Sequence, residues 1–138
     1  MGTRSSTIVI ETGHSVEFVL VNIYRQFDGY PSGHGKELAE FITPIKMVNG
    51  IVPGSEQRTA NGAGCFAAQL IAHLKTGPGH IYIDRPVNEC EHDYTYKIRI
   101  NTYKPSTGIH LEVWDRKQKV FSGSPDEFSA FCTEGVEA

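Results

Sequence analysis

Three glycines and a proline fall within the seven residues 29–35, between a strand-like run ending at Arg25 and an amphipathic stretch opening at Lys36. Glycine serves where backbone bends sharply or is approached closely, and proline fixes φ and donates no hydrogen bond. Neither a strand nor a helix passes through such a block, so the chain must read strand, tight turn, helix. Arg25 and Asp28 stand on the near side of the turn, with Gly29, Tyr30, Pro31, Gly33, His34 and Lys36 on it or just beyond. The first backbone N–H groups of the following helix lack intrahelical partners and offer an anion a seat. A cation, a carboxylate, an aromatic ring and free amides this close together suit a phosphate-bearing ligand. The same residues also serve a plain connection whose charges cap and solvate.

The remaining sequence reads as one domain over residues 1–138, with 133–138 a frayed tail. A hydrophobic content of 39% and a charged content of 21% are globular values. Thirteen basic against sixteen acidic residues give a net charge of −3, without the basic stripe that DNA or RNA polymers demand. A small phosphorylated ligand needs only a few placed arginines, so that class stays open. Cys65, Cys90 and Cys132 form no CxxC pair, and no apolar leader precedes them. Reduced thiols in a cytoplasm are expected. No apolar run is long enough to span a membrane.

Thr7 to Glu11 is a short β-branched strand, and Ser15 to Arg25 is the longest strand candidate. Both faces of the latter are largely apolar, which predicts a mid-sheet strand covered twice, by helices or by another subunit. Leu38, Phe41 and Ile42 make the stripe of a short helix that Pro44 ends. Ile45 to Ala60 reads as an exposed loop. Cys65 to Lys75 is the best helix, apolar on most sides and stopped by Gly77-Pro78, and so expected to be buried against the sheet and a partner chain. His80 to Asp84 is a short strand. Asp93 to Tyr103 and Gly108 to Asp115 alternate, with Tyr94, Tyr96, Ile98, Ile100, Ile109, Leu111 and Val113 inward, and pair antiparallel. Ser124-Pro125-Asp126-Glu127 is a capping box opening a short helix through Phe131. The expected fold is α+β: an antiparallel β-sheet with two central helices packed on it and a short C-terminal helix.

Spacing assembles no catalytic triad. Cys65 lies in a first helical turn, where a thiolate is favoured, yet its small apolar neighbours suit a buried structural cysteine. Cys90-Glu91-His92-Asp93 has no second half at metal-ligand spacing, so no metal and no cofactor are expected. Asp28, Asp84 and Asp93 could supply acid–base carboxylates, but nothing brings them together. The anion-seat pattern, by contrast, occurs twice, since Asn61-Gly62-Ala63-Gly64 also precedes a helix. Neither turn matches a P-loop or a dinucleotide fingerprint. Arg25, Arg58, Arg85, Arg99 and Arg116 are the available cations, and Tyr30, Tyr82, Tyr103 or Trp114 could stack on a purine.

Two blocks carry a resemblance. One is Tyr24-Arg25-x-x-Asp28-Gly29-Tyr30-Pro31-x-Gly33-x-Gly35-x-Glu37-Leu38-Ala39-x-Phe41. The other is Asn61-Gly62-x-Gly64-Cys65-x-Ala67-Ala68-Gln69-Leu70, followed by Lys75 and Tyr82. Over roughly residues 4 to 115 the chain resembles the first family of phage Thoeris anti-defence proteins, the "sponges" that sequester immune signals. The resemblance implies binding without turnover, and thus no enzyme. The ligand would be a cyclic ADP-ribose isomer, with cyclic di- or trinucleotides as further candidates. It also implies a homo-oligomer in the host cytoplasm, a dimer or a hexamer built from dimers, with pockets between subunits. By this analogy Arg25, Asp28, Tyr30 and Pro31 sit at or beside a pocket, with Arg58, Asn61 and Arg99 as phosphate or ribose partners. Arg58 and Arg99 rest on chemistry alone. The rival readings are an enzyme that cleaves the same signal and a phage protein-interaction module.

Overall fold

The computed structural model describes residues 2–13, 15–48, 50, 58–104 and 108–134. In chain order these form β1 (Ser5–Thr12), β2 (Phe18–Arg25), α1 (Lys36–Ile42), β3 (Lys46–Val48), β4 (Thr59–Asn61), α2 (Gly62–Leu74), β5 (Ile81–Asp84), β6 (Tyr94–Asn101), β7 (Ile109–Asp115), β8 (Gln118–Gly123) and α3 (Pro125–Thr133). The architecture is α+β. Six strands run in the order β5-β2-β1-β6-β7-β8, and β3 and β4 form a separate two-stranded ribbon.

The sheet is mixed, which corrects the expectation of a purely antiparallel one. β1 and β6 run parallel, while the other pairs in the six-stranded sheet are antiparallel. The strand order explains why. β5 occupies the edge beside β2, whereas β6 lies on the far side of β1, so residues 85–93 must cross the sheet before β6 begins. That crossing lies over the face opposite the helices, where the Asn22 side-chain amide donates to the Arg85 carbonyl at 2.8 Å and the Tyr24 and His92 rings sit 4.8 Å apart.

Alternation along the strands sorts the core. Val9, Val21, Ile23, Tyr96, Ile98, Ile100, Leu111 and Val113 are buried with Leu38 and Ile42 of α1, Phe66, Leu70 and Leu74 of α2, and Phe128 of α3. Burying each such side chain contributes on the order of 1.5–3 kcal/mol, which fixes how the helices sit on the sheet. The inward residues read from β6 and β7 are buried, Ile109 partly so. The Ser124–Glu127 capping box is present, with Pro125 opening α3.

Several local expectations change. β2 starts at Phe18, not Ser15, and only its middle is buried; Phe18 and Leu20 are 48% and 38% exposed, so the strand is not covered twice along its length. The stretch from Ile45 to Ala60, expected as a loop, carries β3 near its start and β4 at its end; residues 49 and 51–57 lie outside the described residues. A strand not expected at all, β8, completes a hairpin with β7. Its weak alternation reflects an edge strand with most residues exposed. α2 buries one face, with Ala68, Ala72 and His73 exposed on the other. Helix α3 continues to Thr133, and residues 135–138 of the expected tail lie outside the described residues.

Candidate functional site at the glycine-rich turn

Strand register assembles this site before any side chain is considered. Thr7 of β1 pairs with Ile23 of β2 and with Tyr96 of β6, and Ser5 pairs with Arg25. Side chains two residues apart on a strand share a face. Thr7, Arg25 and Tyr96 therefore meet on the helix-bearing side, at the end of the sheet where β2 runs into the turn. The turn is seated there closely. The Gly29 N–H donates to the Thr3 carbonyl at 2.9 Å, and the Tyr96 hydroxyl donates to the Gly29 carbonyl at 2.6 Å. A Cβ on Gly29 would stand 2.7 Å from Ser5 Cβ, so this position admits only glycine without movement. Asp28 takes a left-handed φ of 58°, which aspartate tolerates better than most residues. Residues 31–35 then wind as a single wide π-type turn into α1.

Within the turn His34 is completely buried. Its Nε2 lies 2.7 Å from Thr7 Oγ1 and its Nδ1 lies 3.0 Å from Arg25 Nη1. The edge of its ring meets the Tyr96 ring, with centroids 5.3 Å apart. Arginine donates only, so Nδ1 must carry a lone pair, and the proton of the neutral ring sits on Nε2, facing Thr7. Burial lowers the pKa of His34, and the Arg25 charge acts the same way, against the opposing pull of Glu37. Arg25 is held from two further sides. Its Nε donates to the Phe27 carbonyl at 2.6 Å, and its Nη1 is ion-paired with Glu37 Oε1. The Arg25 guanidinium holds the Glu37 carboxyl well below the usual carboxylate range despite partial burial; His34, neutral and with a lone pair at Nδ1 3.8 Å away, donates nothing to it. Tyr96 is pushed well above its ordinary value by burial and stays a hydroxyl donor.

Above this buried base lies an open depression of about 370 Å³, lined by Arg25, Asp28, Tyr30, Gly33, Lys36, Glu37 and Glu40. It presents two cations, three carboxylates and one phenol ring. Tyr30 and Asp28 stand together, hydroxyl to carboxylate at 3.4 Å. Lys36 and Glu40 project from α1 toward solvent, both exposed. Such a surface can meet phosphate, ribose hydroxyls and a base.

The structure thus brings Arg25, Asp28, Tyr30 and Gly33 to one depression, with Gly29, Pro31 and His34 buried as its support. The other three candidates stand apart. Arg58 lines an adjoining cavity of about 290 Å³ with Glu40, Phe41, Ile45, Gln69 and His73; Glu40 lines both. Asn61 precedes α2, where its Oδ1 accepts from the Gly50 N–H at 2.7 Å instead of capping the helix. Arg99 faces away from the helices, opposite Ile98 and Ile100. There its guanidinium pairs with Glu17 and Glu112 at 2.9 and 2.8 Å. Sequence reasoning missed Thr7 and Tyr96 as parts of the site, because nothing local marks them. Glu37 carries a readable signal: a carboxylate in the first turn of the helix that follows the strand bearing Arg25 is placed to pair with it.

A larger cavity, about 400 Å³, lies among Arg4, Cys90, Asp93, Arg116 and Lys117. Asp93 already accepts the Arg4 N–H at 3.0 Å, and Glu91 pairs with Arg85 at 2.8 Å. The depression at the turn is the better candidate, since buried groups hold its cation in place. In comparisons with known proteins, no family model matches this chain, and no curated protein or solved structure matches it.

Proposed function

We propose that the chain is a binding protein that captures a small anionic nucleotide, of the cyclic ADP-ribose isomer class, and releases it unchanged. The observation that carries this reading is the depression over the glycine-rich turn. There Arg25 and Lys36 offer phosphate partners, Asp28 and Glu40 offer acceptors for ribose hydroxyls, and Tyr30 offers a ring. A volume of about 370 Å³ lies within the range of small-molecule sites. The titratable groups beneath it suit holding rather than turnover. Both His34 nitrogens are engaged in the base, and burial pushes the nearby Cys132 thiol up to about 12, far from a nucleophilic thiolate.

Sequestration demands tight binding, about −12 kcal/mol for a nanomolar site. An open depression covers a ligand from one side only. A second copy of the chain would supply the other wall, and exposed Phe18, Leu20, Phe27 and Ile83 give apolar surface for such an assembly. A phosphate entering here competes with Glu37 for Arg25, or binds first at Lys36, which has no carboxylate partner among the described residues.

The test is a release assay. Purified protein is incubated with a TIR-enzyme-derived cyclic ADP-ribose isomer, stripped of free nucleotide, heat-denatured, and the supernatant analysed by mass spectrometry. Intact nucleotide near one equivalent per site supports capture. A hydrolysed product makes the protein an enzyme, and no nucleotide at all removes this ligand class.

A further inference from the structure

We infer that Thr7 is a positioning residue for the ligand site, acting through the tautomer of His34 on the direction in which Arg25 points. The inference rests on the reading of the turn as a nucleotide site only where ligand affinity is the readout. Thr7 itself is 1% exposed and cannot touch a ligand in the depression. Its hydroxyl oxygen stands 2.7 Å from His34 Nε2 and accepts the Nε2 proton. That leaves the Nδ1 lone pair for Arg25 Nη1 at 3.0 Å. A guanidinium has five donors and no acceptor, so only this tautomer makes the contact favourable.

The groups facing His34 are Thr7 of β1, Arg25 of β2, Glu37 of α1 and Tyr96 of β6, while α3 packs on the same turn with Cys132 beside Gly35. Among these, Glu37 Oε1 stands 3.8 Å from Nδ1, too far for a hydrogen bond as the ring now sits. It nevertheless offers an alternative. Without an acceptor at position 7, a proton on Nε2 would be buried and unpaired, which is costly. Moving that proton to Nδ1 lets the ring donate to Glu37 after a small shift. The same move turns an N–H toward Arg25 and takes the acceptor away from the guanidinium. Thr7 therefore decides whether Glu37 and His34 hold Arg25 together or bond to each other.

The experiment compares wild type with Thr7→Val, which keeps the shape and removes the acceptor, and with Thr7→Ser, which keeps the hydroxyl. Nitrogen-15 NMR of histidine- and arginine-labelled protein reads the tautomer and the Arg25 Nε–H resonance. Calorimetry with a cyclic ADP-ribose isomer reads affinity. Wild type and Thr7→Ser are expected to show His34 protonated at Nε2 and a protected Arg25 Nε–H. Thr7→Val is expected to show the Nδ1 form, a shifted Arg25 resonance, and binding about tenfold weaker, the size of one displaced hydrogen bond. His34 protonated at Nδ1 in the wild type overturns the inference without any variant. An unchanged tautomer in folded Thr7→Val overturns it too, as does a changed tautomer with wild-type affinity. If the wild type binds no cyclic ADP-ribose isomer, the proposed function fails, while the two resonances still decide whether Thr7 directs Arg25.

Discussion

The Tyr96 hydroxyl donates a hydrogen bond of 2.6 Å to the Gly29 carbonyl, across 67 residues of sequence. Strand β6 thereby holds the turn that follows β2. Tyr96→Phe keeps the ring against His34 and Phe128 but leaves the carbonyl of the buried Gly29 without its donor. The expected cost is roughly 1–3 kcal/mol of unfolding free energy, read from urea denaturation. A loss below measurement error would mean that water replaces the hydroxyl and that the turn does not depend on β6.

Gly29 and Gly33 are needed for close approach, not for unusual φ. A Cβ at Gly29 would meet Ser5 Cβ at 2.7 Å, and one at Gly33 would meet the Asp28 carbonyl oxygen at 2.7 Å. Gly29→Ala is expected to destabilise by about 1–3 kcal/mol, the range for overpacking a tight site. Gly64→Ala is the control. Nothing lies within 4 Å of its Cβ and it stands in α2, so it should be neutral or stabilising. Equal thermal midpoints for the two variants would contradict the close packing of the turn.

Acid should weaken the fold through His34 and Glu37, with the same sign. His34 has its pKa lowered from 6.5 by burial, so below that value the unfolded chain binds the proton more readily and stability falls with pH. Glu37 is held below its ordinary 4.5 by Arg25, so its contribution is present above 4.5 and is lost as pH falls below that value. The urea midpoint should therefore drop from about pH 7 to about pH 5, and less steeply in His34→Gln, which stays neutral. Parallel pH profiles for the two proteins would take His34 out of the explanation.

Arg25 is where ligand and fold separate. Its side chain is 12% exposed and that of Glu37 41%, so water can solvate the Glu37 carboxylate that Arg25→Ala leaves behind, while the buried His34 Nδ1 loses its donor. The variant is expected to lose roughly 1–3 kcal/mol of stability. It should keep the native mass of the wild type and retain no cyclic ADP-ribose isomer in the release assay. Wild-type capture by this variant would remove Arg25 from the site. Arg99→Ala serves as the contrast, because Arg99 lies on the other face of the sheet between Glu17 and Glu112. It should bind as the wild type does.

The local grammar of the chain is written in its residues. Gly29 to Gly35 had to break the chain, the alternation from Tyr94 to Ile100 had to place one face inward, and Ser124 with Glu127 had to start a helix. Each follows from backbone sterics or from a period set within a few residues. Even the separation of Arg99 was legible, since it alternates outward from Ile98 and Ile100. The exposed edge strand β8 and the short β3 and β4 gave weak patterns, because strands with little buried surface need little periodicity. Which strands are neighbours is settled in three dimensions. Placing β6 parallel to β1, after a crossing by residues 85–93, brings Tyr96 to Gly29, 67 residues away, and the antiparallel register of β1 on β2 brings Thr7 to His34, 27 residues away. Strand order is set by the packing free energy of the whole core, and no local period carries it; the buried support under Arg25 exists only once that order is chosen.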